Sequence, residues 1–161
     1  MRLSVGVLAL AFAACAGPSK NLPTAGQEAG MENGAAQPKF KKKPRMNGRG
    51  ELSSISLEEF FALQQSGEAL IYDARPAFFY QLGHIPGALN LAVANCDEKI
   101  NARESEIKGA LAAGKTIVVY CTSLTCPDAR SVAMHLSGFG YPARIFSGGW
   151  DAWKDAGMPT E

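Results

Sequence analysis

The sequence predicts an α/β domain: a mainly parallel sheet with helices on both faces. Three observations carry this. Short apolar runs of strand length alternate with segments of helical periodicity through residues 51–161. The run "TIVVY" at 116–120 is continuous in apolar and β-branched residues, the texture of a strand covered on both faces. Glycines close the helical segments, as at Gly67 and Gly114.

Taken in order, "SLEEFFALQQSG" opens with Ser56 as an N-cap and places Leu57, Phe60, Phe61 and Gln64 at helical spacing. "ALIYDA" is a strand ending in Asp73, and "PAFFYQLG" reads as one or two helical turns begun by Pro76. "GALNLAV" is a further strand. "DEKINARESEIKGALAAG" reads as one amphipathic helix with Ile100, Ile107 and Leu111 near one face. "TIVVYC" follows as a buried strand. "PDARSVAMHLSGFG" is a helix with Pro127 near its first turn, its apolar face formed by Ala129, Val132, Ala133, Leu136 and Phe139. "YPARIF" is the last strand, and "SGGWDAWKDAG" a closing helix with Trp150 and Trp153 three residues apart.

The charge is divided. Residues 16–50 hold seven Lys/Arg against two Glu, whereas residues 51–161 hold eight Lys/Arg against thirteen Asp/Glu. Residues 1–14 resemble a signal peptide, with Arg2 ahead of an apolar stretch too short to span a bilayer comfortably. Cys15 follows directly, and "FAAC" resembles a bacterial lipoprotein signal, which makes Cys15 the expected lipidation site. Residues 15–50 hold few large apolar side chains and are expected to be a disordered basic tether. The expected location is the bacterial cell envelope, periplasmic and lipid-anchored; the alternative is a secreted soluble protein. Disulfides persist in either place.

The chemistry gathers in "YCTSLTCPDAR". Cys121 lies between a strand end and a helix start, where loop amides and the helix dipole favour thiolate, the nucleophilic form. Thr122, Ser123 and Thr125 add hydroxyls, Leu124 an apolar tip, and Cys126 a second thiol. A phosphatase loop needs an arginine six residues after the cysteine; here that place is Pro127, and Arg130 stands nine after. Four residues separate the cysteines, against two in the usual dithiol motif. No clear second ligand pair accompanies them, since His84 and His135 are isolated, so no metal is expected. Cys96 is expected to be a buried structural thiol, or else a dimer disulfide. Asp73 and Arg75 end a strand at the same sheet edge and are expected to brace neighbouring loops.

Residues 51–161 resemble a rhodanese-like domain. Four segments carry the likeness: "DARPAFFYQLGHIPGALNL", "IVVYC", "SVAMHLSGFGY" and "SGGWDAWKDAGMP". The resemblance implies a five-stranded parallel sheet and sulfane-sulfur transfer through a persulfide on Cys121, without a cofactor. It implies a sulfane-sulfur donor and a thiol acceptor as partners, beside the membrane through lipidated Cys15; nucleic acid is not expected. The loop is similar to a C-x-S-x-x-C variant of the family, with no basic residue between Cys121 and Pro127. A neutral or thiol-bound donor therefore suits it better than dianionic thiosulfate. Cys126 is then a resolving thiol or a disulfide partner. Two alternatives stand beside transfer: a non-catalytic binding module, and a thiol–disulfide redox protein using Cys121 and Cys126.

Overall fold

The computed structural model describes residues 48–161. The expected signal segment 1–14, Cys15 and the expected tether as far as residue 47 lie outside the described residues. The elements run β1 (Leu52–Ser54), α1 (Leu57–Gln65), β2 (Ala69–Asp73), α2 (Ala77–Gln81), β3 (Ala88–Asn90), α3 (Cys96–Ala102), α4 (Glu104–Ala112), β4 (Thr116–Tyr120), α5 (Asp128–Gly138), β5 (Ala143–Phe146) and α6 (Gly149–Asp155). The five strands form one parallel sheet in the order β1-β5-β4-β2-β3.

Side-chain alternation along the central strands builds a core on each face. Ile117 and Val119 of β4 join Tyr72, Ile100, Ile107, Val132 and Leu136, from β2 and helices α3, α4 and α5. Val118 and Tyr120 point the other way, to Ile71, Phe60 of α1, Phe146 and Trp153 of α6. The Phe60 ring sits 5.3 Å from Phe146 and 5.2 Å from Trp153, centroid to centroid. Each such fully buried aromatic contributes about 2–3 kcal/mol by removal from water. Helices thus cover both faces, as expected.

Two expectations need correction, and one strand was not anticipated. The helix expected across 97–114 is two helices, because Arg103 (φ −100°, ψ 13°) leaves helical geometry between them. The strand read in "GALNLAV" is only Ala88–Asn90. The first strand, β1, had no sequence signal: it is three residues long and exposed throughout. His135, isolated in the sequence, sets its Nδ1 2.6 Å from Asp97 Oδ1 and so links α5 to α3.

Candidate functional site

Parallel register brings Asp73, Tyr120 and Phe146 level at the carboxyl ends of β2, β4 and β5. Cys121 is the next residue after β4 and is buried. Its loop is held from outside: the Trp150 amide donates to Cys121 O (2.8 Å) and the Asp151 amide to Thr122 O (2.9 Å). Gly149 makes this approach possible. Its φ is +65°, and a Cβ there would lie 2.6 Å from Cys121 O. Gly149 is therefore the spacer that lets α6 touch the loop, whereas a Cβ at Gly148 would meet Ala152 and the Phe146 ring.

Cys121 and Cys126 form a disulfide, with their Cα atoms 6.2 Å apart. The Cys126 amide donates to Ser123 O (3.1 Å), so it is used within the loop and is not aimed at the sulfur. Ser123 Oγ and Thr125 Oγ1 are 3.2 Å apart, and Thr122 Oγ1 lies 4.0 Å from Cys121 Sγ. Leu124 is 76% exposed at the loop tip. Cys96 is a free, buried thiol; burial pushes it up to about 11, which keeps it protonated and unreactive.

Asp73 and Arg75 form the buried brace behind the loop. The Asp73 carboxylate accepts from the Arg75 backbone amide (2.8 Å), from Arg75 Nη2 (2.6 Å) and from the Tyr120 hydroxyl (2.7 Å). Arg75 Nη2 also donates to Gly83 O, and its guanidinium lies 4.6 Å from the centre of the Trp150 ring. The chain of contacts therefore runs from Asp73 through Arg75 to Trp150, whose amide holds Cys121. His84 ties its own turn: its Nδ1 is 3.1 Å from Tyr80 O, and its ring stacks on Tyr80.

A cleft of about 530 Å³ opens beside the disulfide. Its walls are β1, Cys121, residues 123–127, Ala129, Arg130 and residues 145–147. Thr122 is not on the wall. Arg130 and the exposed edge strand β1 are site residues that sequence reasoning missed. Arg130 was weighed only by its spacing from Cys121, but the first turn of α5 sets it on the cleft wall. A third residue, Asp128, was also missed: its carboxylate lies within 4.8 Å of both sulfurs.

The rhodanese-like domain family model matches residues 56–156. The chain belongs to the rhodanese-like domain family. A helix-turn-helix-type transcriptional regulator of Mycobacterium tuberculosis is 31% identical over 111 residues, covering 67% of this chain and 44% of that protein. An adenylyltransferase and sulfurtransferase of Zea mays is 30% identical over 115 residues, covering 70% of this chain and 24% of that protein. The chain thus spans less than half the length of these curated relatives. The solved human single-domain sulfurtransferase superposes with a TM-score of 0.50 at 25% identity, covering 63% of this chain and 95% of that one. Sulfurtransferases therefore stand among the relatives of this rhodanese-like domain, as does a regulator.

Proposed function

We propose that this rhodanese-like protein is a sulfurtransferase of the cell envelope that carries sulfane sulfur as a persulfide on Cys121. The observation that carries the reading is the position of Cys121: it ends the central strand, opens onto the cleft, and has its carbonyl pinned by α6. The envelope assignment rests on the signal-like residues 1–14 and on Cys15. Lipid on Cys15 would supply the anchor; no helix among the described residues is long and apolar enough to cross a membrane.

The disulfide makes reduction the first step. An external dithiol transfers two electrons and two protons to the Cys121–Cys126 bridge and leaves as its own disulfide. The Cys121 thiolate then attacks the outer sulfur of the donor. A sulfur–sulfur bond forms at Cys121, the donor's own bond to that sulfur breaks, and the donor leaves with the electron pair. An acceptor thiolate next attacks the outer persulfide sulfur and departs as a persulfide, which returns Cys121 as thiolate. Arg130 supplies positive charge at the cleft wall for an anionic donor or acceptor, a charge absent from residues 122–126.

The bridge itself favours a second reading, a thiol–disulfide role for the same pair. Sulfur transfer from a donor to a small thiol, measured after reduction, separates the two. Cys121→Ser should abolish transfer and Cys126→Ser should retain it. Equal loss in both variants would favour the redox reading.

A further inference from the structure

We propose that the reduced loop binds one thiophilic divalent cation of the zinc class through Cys121 Sγ, Cys126 Sγ and a carboxylate oxygen of Asp128. The inference concerns the same loop as the sulfur-transfer reading but does not depend on it. The three donor atoms already lie within 4.8 Å of one another in the oxidised loop. Asp128 stands in the first turn of α5, behind the Pro127 cap, and is partly buried. Among the described residues no salt bridge or hydrogen bond engages its carboxylate, unlike Asp73, held by Arg75, and Asp97, held by His135.

The geometry needed is close to the geometry present. Tetrahedral zinc with bonds of about 2.3 Å to sulfur holds two thiolates about 3.8 Å apart, and an oxygen ligand about 3.5 Å from each. Cysteines whose Cα atoms are 6.2 Å apart reach that spacing by side-chain rotation once the bridge is cut. From within 4.8 Å of both sulfurs, the Asp128 carboxylate must then close by at most about 1.3 Å, within the range of its own rotamers. Three protein ligands leave a fourth position open, the pattern of reactive rather than closed structural sites. The two histidines are elsewhere: His84 faces Tyr80 and Glu161, and His135 faces Asp97.

The ligand set selects its cation. Thiolates favour zinc, cadmium and similar soft or borderline ions, whereas calcium and magnesium need oxygen cages. Arg130 on the cleft wall opposes any cation held by charge alone, which sharpens that preference. The reaction balances in two stages. An external dithiol reduces the bridge to two thiols. The cation then replaces both thiol protons, releasing two protons for each ion bound. A cation held on the Cys121 thiolate occupies the electron pair that would attack a sulfur donor.

The test uses the full chain carrying Cys15→Ser, so that the loop and Cys96 hold its only thiols. The protein is reduced with a phosphine and titrated without oxygen with Cd²⁺ and then Zn²⁺. One cation per chain should bind, with a sulfur-to-cadmium charge-transfer band and two protons released. Asp128→Asn should weaken binding by about tenfold or more, the loss of one charged ligand, with an unchanged circular dichroism spectrum. Absence of the band at one equivalent would overturn the proposal. So would full affinity in Asp128→Asn, or a band that survives Cys126→Ser. Sulfur loading of Cys121 in metal-free protein is read separately, so failure of one reading is distinguishable from failure of the other.

Discussion

At the scale of single residues, Gly149 sets how closely α6 approaches the reactive loop. Its left-handed conformation costs a residue with a side chain roughly 1–3 kcal/mol, and the Cβ would also meet Cys121 O. Gly149→Ala should therefore lower the unfolding free energy by at least that amount, read as a lower urea midpoint. A midpoint equal to wild type would mean that α6 does not press on the loop as described. The glycine pair was visible in the sequence as a motif, but its purpose was not, because it depends on which backbone lies opposite. The same holds for the second cysteine. Sequence left Cys126 open as resolving thiol or disulfide partner, since five residues of separation do not fix a Cα distance; the folded loop brings the pair to 6.2 Å and joins it. Asp128 escaped notice, and Arg130 was weighed only by its spacing from Cys121, for a related reason. Both follow the loop in sequence, and only the direction in which α5 leaves the loop decides what they face.

At the scale of elements, the best-read helix is α1. Ser56 Oγ accepts from the Glu59 amide at 3.2 Å, three residues on, as its N-cap position predicted. Ser56→Ala should cost about 1 kcal/mol, seen as a lower urea midpoint with an unchanged slope; no change would mean the cap contributes nothing. Central strands β2 and β4 were equally legible, because both of their faces are largely buried and all but one residue of each is apolar or aromatic. Edge strand β1 was not, because a three-residue exposed strand needs no apolar residue and so leaves no pattern. Its partner β5 supplies the register, and register is a tertiary fact. The break between α3 and α4 likewise lacks glycine or proline, so periodicity alone ran the two helices together.

At the scale of the whole molecule, the cores on the two faces of the sheet bury titratable groups, Tyr72 and Cys96 in one and Tyr120 in the other, and this has a pH consequence. Burial pushes the Cys96 thiol up to about 11 and also raises the Tyr72 and Tyr120 hydroxyls. In the unfolded chain these groups lose their protons near ordinary values of about 8.5–10. Between those values and the folded ones, the folded state binds more protons, so stability falls as pH rises. Stability should be fully present below about pH 8.5 and decline progressively as pH rises toward about 11, measured as urea midpoints in that range. A flat profile would contradict the burial of these three groups. The fold class was legible because alternating strands and helices leave few arrangements, whereas the redox state of the loop was not. The central claim, that Cys121 carries sulfur, is tested most directly by mapping the reduced protein by mass spectrometry after exposure to a sulfane-sulfur donor. The account predicts the added mass of one sulfur atom on the peptide bearing Cys121, absent in Cys121→Ser. No added sulfur on Cys121 with any donor, in protein shown to be reduced, would contradict it.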